Sequence, residues 1–230
     1  MSAPVTRPDF ETVAARRPVP GVMAPPRRRQ APVWQERIER TDLCAAEPLV
    51  WLLGAHGGAA VSTLTASLVW AGDSGRAWPS GGHGDSPLVA VVARTHAAGL
   101  RAAHDRAMAH LAALTPDPVQ LLGLILVADT DRRPSQQLRR EITRVCSVFD
   151  HVWHIGWVEP WRHMCPDELP EWGPRSQVPA DKRAAADTRT VPVEPVRALH
   201  DDLLAAAVAA LRTSDSPNTS SDSSDLSGQR

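Results

Sequence analysis

Gly54-Ala55-His56-Gly57-Gly58-Ala59-Ala60-Val61-Ser62-Thr63 is the stretch whose reading decides the fold. It follows an apolar run, Pro48–Leu53, that ends at Gly54 and reads as a buried strand. It precedes Val61–Ala71, which reads as a helix. A Gly-rich turn between a strand and a helix aims backbone N–H groups at an anion. The run from Gly54 to Ser62 has the spacing of a phosphate loop, G-x-x-x-x-G-K-[ST]. Ala60 stands at its second glycine and Val61 at its lysine, while Ser62, with Thr63 beside it, keeps the place of a Mg²⁺ ligand. A hydrogen bond to a charged group contributes about 1.5–3 kcal/mol. Losing the lysine therefore predicts binding weakened roughly ten- to a hundred-fold and chemistry weakened further.

Working outward, short apolar runs alternate with helical periods. Pro87–Ala93, Val119–Ala128 and His151–Ile155 read as strands; Ala97–Leu114, Ser135–Cys146 and Leu199–Leu211 read as helices. Strands separated by helices predict an α/β fold with a mainly parallel sheet of four or five strands, covered on both faces. The folded domain is expected over residues 47–212. Residues 72–86, Gly/Pro/Ser-rich with a lone Trp78, read as a loop, and 156–195 as irregular. The Pro/Arg-rich residues 1–46 predict a disordered arm, and the Ser/Asp-rich residues 213–230 a disordered tail. No strand bearing an acid is legible between residues 64 and 87, and Val92 is followed by Ala93-Arg94 rather than an aspartate.

The His56-Gly57-Gly58-x-x-x-Ser62-Thr63 run resembles the deviant phosphate loop of ParA/MinD-type ATPases, in which a signature lysine precedes Gly-Gly. His56 stands in that lysine's place. The resemblance implies a reduced P-loop NTPase-like fold and a homodimer that sandwiches nucleotide. It also implies that Leu124–Ala128 and Trp157–Arg162 lie near the base. The chain is closer still to a family of high-GC bacteria with no settled activity. That family carries a His-Gly-Gly loop (His56–Gly58), Trp78-Pro79, a strand ending Ala93-Arg94-Thr95-His96, and Trp157-Val158-Glu159-Pro160-Trp161-Arg162.

The leading functional expectation is a non-catalytic binding or scaffold module with a protein partner. Trp157, Trp161 and Arg162 are its candidate docking residues, because Trp and Arg are frequent binding anchors. The alternative is a slow nucleotide switch that holds ATP and Mg²⁺ through Gly54, His56, Gly57, Gly58, Ala59, Ala60, Val61, Ser62 and Thr63, with Ser62 on the metal. A third reading takes Asp129 and Asp131, a D-x-D after a strand, as the acids of a Mg²⁺-dependent phosphatase; the competing view is a helix-capping loop. His151, His154, His163 and Cys165 suggest a metal, yet the first two point to opposite faces of a strand.

Composition narrows the classes. Twenty-five basic against 26 acidic residues give a net charge of −1, with no field that favours nucleic acid or an anionic surface. The only lysine is Lys182, in the irregular segment, so the missing loop lysine has no lysine to replace it. Cys44, Cys146 and Cys165 form no CxxC pair and fit reduced thiols. Without an apolar leader or a run long enough to span a bilayer, the chain reads as cytoplasmic.

Overall fold

Three apolar runs without alternation are the signature of strands buried on both faces, and they form the middle of the sheet. In the computed structural model, which describes residues 16–38, 47–80 and 85–214, β1 (Val50–Gly54), β3 (Leu88–Arg94) and β4 (Gln120–Val127) are its central strands. β2 (Ala71–Asp73) and β5 (Val152–Ile155) flank them, giving a five-stranded, all-parallel sheet in the order β2-β1-β3-β4-β5. The α/β architecture expected from the sequence is therefore the architecture of the chain.

Helices cover both faces. α1 (Val61–Ser67) and α5 (Glu194–Ser214) lie on one, where Leu64, Leu199 and Leu203 meet Val50, Leu52, Ala90 and Val92. α2 (Ala97–Leu111) and α3 (Gln136–Cys146) lie on the other, where Leu100, Ala103 and Val145 meet Leu53, Val89 and Val91. His96 caps α2 by accepting from the Gly99 N–H, and Ser135 caps α3 by accepting from the Leu138 N–H. A short helix, α4 (Lys182–Ala186), interrupts the irregular segment before α5. Among the described residues, no helix is long and apolar enough to cross a membrane.

Two expectations are corrected. Residues 72–86 are not all loop: α1 stops at Ser67 and β2 follows at once, pairing Ala71, Gly72 and Asp73 with Val50, Trp51 and Leu52. Gly72 permits this, because a Cβ there would lie 2.6 Å from the buried Trp51 ring. Nor is the arm disordered over residues 16–38, which form a strap across the domain. Val33 bridges to Trp78, Ile38 is buried, the Val19 N–H bonds to the Leu111 carbonyl, and Arg29 pairs with the buried Asp105 at 3.4 Å. Trp78, 1% exposed, is the core residue beneath it. Residues 1–15, 39–46 and 215–230, which hold Cys44 and most of the expected acidic tail, lie outside the described residues.

One strap contact titrates. The ring of His110 stacks on Trp78, and its Nδ1 lies 2.7 Å from Nη1 of Arg16 and 3.2 Å from the Thr115 hydroxyl. Burial, and then the Arg16 charge, lower its pKa from 6.5 to about 3. The unfolded chain thus binds more protons than the folded one between about pH 6.5 and 3, so stability falls as pH falls through that window. From pH 7.5 to 5 the wild-type chain should lose roughly 1–2 kcal/mol to this residue. Urea midpoints at the two pH values should show a smaller drop in His110→Asn; an equal drop would contradict the assignment.

Candidate functional site

In open parallel sheets, ligands collect outside the carboxyl ends of the strands where the strand order reverses. Here the reversal falls at β1, since β2 lies on one side of it and β3 on the other. A cleft of about 350 Å³ opens at this point, lined by Gly54, His56–Thr63, Asp73, Gly75, Arg76 and Arg94. All nine loop residues expected to form a phosphate site line it. A larger groove, of about 680 Å³, lies at the other end of the sheet between the starts of β4 and β5 and the alanines of α5. It has no arginine or lysine in its lining.

The loop stands clear of the sheet. Among the described residues, the N–H groups of Gly57 through Ser62 have no hydrogen-bond acceptor. Gly58 (φ +76°) and Ala60 (φ +79°) are both left-handed. For an alanine that conformation costs roughly 1–2 kcal/mol, so the second-glycine position keeps a glycine's backbone without its residue. Burial of the Ala60 side chain, 8% exposed, offsets part of this, by about 0.8 kcal/mol. The eight-residue pattern that ends at Ser62 begins at Ala55, one position after Gly54. Gly54 serves close approach instead: a Cβ there would lie 3.0 Å from the Gly75 carbonyl, to which the Gly54 N–H donates at 2.8 Å.

Three side chains complete the cleft, and sequence reading assigned none of them to it. Asp73 ends β2 beside the loop. Its Oδ2 accepts from the Ser62 hydroxyl at 3.1 Å, and its Oδ1 from the Gly75 N–H at 2.6 Å. An acid therefore does stand next to the serine, on the strand that the sequence did not reveal. Arg94, the last residue of β3, donates from Nη1 to the Ala128 carbonyl at 2.7 Å and from Nε to the Gly58 carbonyl at 3.4 Å. Arg76 lines the opposite side, following β2. Arginine thus supplies the cations that a search for lysine missed. Lys182 lies on α4 and does not line the cleft.

His56 does not have the freedom that the resemblance asked of it. Its Nε2 accepts the Arg94 backbone N–H at 3.1 Å, which leaves the proton on Nδ1, 2.8 Å from the Gly57 carbonyl. Burial, then His96 and Arg94 nearby, hold its pKa below the ordinary value, with the Gly57 carbonyl and Asp129 opposing. The ring is neutral at pH 7, both nitrogens are engaged, and it packs 4.7 Å from the His96 ring. It braces the loop.

The remaining candidates lie apart. Asp129 and Asp131 sit exposed on the β4–α3 loop, outside the cleft lining, where the Thr95 hydroxyl receives the Asp129 N–H and Asp131 accepts from Thr130. Among the described residues, no three His, Cys, Asp or Glu side chains come together to hold a metal, so His151, His154, His163 and Cys165 form no such group. Trp161 packs against the core under α5, whereas Trp157 donates to Glu159 at 2.7 Å and carries the Arg162 guanidinium 6.0 Å above its ring. That hydrogen bond, ahead of Arg162 and His163, holds the Glu159 pKa below the usual carboxylate range.

Residues 48–178, more than half of the chain, match a family of unknown function, DUF6668, and the chain belongs to that family. No curated protein and no solved structure matches it.

Two substitutions test the bracing of the loop. A Cβ at Gly99 would lie 2.5 Å from the Arg94 carbonyl and 2.8 Å from Nε2 of His56. Gly99→Ala should cost about 1–3 kcal/mol in urea unfolding. Ala60→Gly should change stability by less than about 1 kcal/mol, as relief of the left-handed strain is offset by the lost methyl burial and by backbone entropy. Equal effects at the two sites would contradict this geometry.

Proposed function

We propose that this member of the family is a phosphate-binding module: a reduced, P-loop-like domain that holds the phosphates of a nucleotide with Mg²⁺ and hydrolyses them slowly or not at all. The observation that carries this reading is the Ser62–Asp73 hydrogen bond at the foot of a loop with unpaired N–H groups. In P-loop enzymes a loop serine or threonine and an acid on a neighbouring strand hold Mg²⁺ between them. Mg²⁺ is commonly bound through one or two carboxylates plus substrate phosphates, and one hydroxyl and one carboxylate at the cleft fit that requirement. Ser62 and Asp73 would hold the ion, which would neutralise charge on the bound phosphates.

Binding is favoured over turnover by what surrounds the cleft. Val61 puts an isopropyl group, 8% exposed, where a lysine would reach the terminal phosphates. Among the lining residues, Asp73 is the only carboxylate, and on this reading it is the one that holds the ion. An attacking water has no second acid to orient it. A binding module without turnover acts by presenting a state to a partner, and the half-buried Trp157 with the exposed Arg162 is the docking feature that remains once Trp161 is assigned to the core. Membership of the ParA/MinD type and nucleotide-driven dimerisation belong to the same proposal and rest on the loop pattern.

Calorimetric titration of the full chain with ATP and Mg²⁺ tests the proposal. Saturable binding should be abolished by Gly58→Glu, which adds a carboxylate to the cleft lining at a strained left-handed position, and should lose its Mg²⁺ dependence in Asp73→Asn. Absence of heat up to millimolar ATP would overturn it. Phosphate release above background, lost in Asp129→Asn, would instead favour the phosphatase reading.

A further inference from the structure

We infer that the cleft reads an oligophosphate chain alone, whether free or as the tail of a nucleotide, without regard to a base; this rests on the phosphate-binding reading above. The lining comes from the carboxyl ends of β1, β2 and β3 and the turns that follow β1 and β2. None of it comes from residues 124–128 or 157–162, the segments that the resemblance would set beside a base. Base and cofactor pockets are lined mainly by apolar and aromatic side chains. This cleft is lined by backbone amides, two guanidinium groups, a carboxylate and two hydroxyls, with Val61 its largest aliphatic group.

Its one ring is unavailable for stacking. His56 is held at both nitrogens, faces His96 at 4.7 Å, and presses on Gly99 so closely that no Cβ would fit between them. Outside the lining lie the exposed indole of Trp34, fixed by its N–H on the Ser74 carbonyl at 3.0 Å, and the half-buried Trp157, which follows β5, three strands from β1. At roughly 4.8 Å per strand, that is about 14 Å across the sheet, and the Trp157 ring already carries Arg162. The charge pattern suits a chain of anions: Arg76 and Arg94 approach the loop from the strands on either side of β1, with Asp73 available for a bridging cation.

Calorimetry of the full chain with Mg²⁺ and, in separate arms, tripolyphosphate, ATP and GTP tests this inference. Dissociation constants that agree within about threefold are expected. Arg76→Ala, which removes no hydrogen bond to the loop, should weaken all three by a common factor of about tenfold; Arg94→Ala should do the same, with circular dichroism to verify its fold. ATP binding tenfold or more tighter than tripolyphosphate or GTP would overturn the inference and leave phosphate binding standing. Failure of all three ligands to bind would overturn both.

Discussion

The hydrogen bond from the Arg94 backbone N–H to Nε2 of His56 sets how the loop stands. The β1–β3 ladder runs to Gly54 and Val92, and the Ala55 N–H extends it by bonding to the Val92 carbonyl. The next amide of β3, that of Arg94, meets an imidazole instead of a carbonyl. The chain leaves the sheet at this point, and the ring closes the end of the ladder. Because Nε2 must accept, the ring is neutral, and its charge is lost to the cleft. The compensation comes from the same residue, whose guanidinium spans from Gly58 to Ala128 and places a permanent cation at the rim.

The sheet order explains why the other parts converge. β2 and β3 lie on opposite sides of β1, so the chain ends that leave them flank the loop. Ser74 and Gly75 continue to bond with β1 after β2 has formally ended, and this holds Asp73 level with the loop serine. The strap reaches the same region from outside. Arg106 donates to the Arg29 carbonyl of the strap at 2.9 Å and to the Ala55 carbonyl at 3.4 Å, and the Trp34 indole donates to the Ser74 carbonyl at 3.0 Å. Both walls of the cleft are therefore tied to residues 29–34.

The parts of this arrangement differ in how clearly the sequence announces them. Strands buried on both faces are visible as unbroken apolar runs, which is why β1, β3 and β4 are legible along with the helices between them. β2 is three residues long, and its middle residue is a glycine that makes room for Trp51, so it has no apolar pattern to detect. Asp73 was hidden with it. The strap is anchored by Val33, Trp34 and Ile38, scattered among prolines and arginines whose composition signals disorder. Val33 and Trp34 are the signal that could have revealed it. Arg76 and Arg94 are distant from the loop in sequence, and only strand pairing brings them to it. The His-Gly-Gly pattern falls on the turn between β1 and α1, but spacing carries no information on whether a histidine faces the cleft or the sheet.

Backbone amide resonances of the full chain, followed by two-dimensional ¹H–¹⁵N spectra during titration with ATP and Mg²⁺, test the central claim most directly. The account predicts that the largest shifts fall on Gly57 through Ser62, with Asp73 and the Arg94 side-chain Nε–H following at the same ligand concentration. Shifts confined to the groove between β5 and α5, or to the Trp157–Arg162 turn, would contradict it, as would a spectrum that ATP and Mg²⁺ leave unchanged.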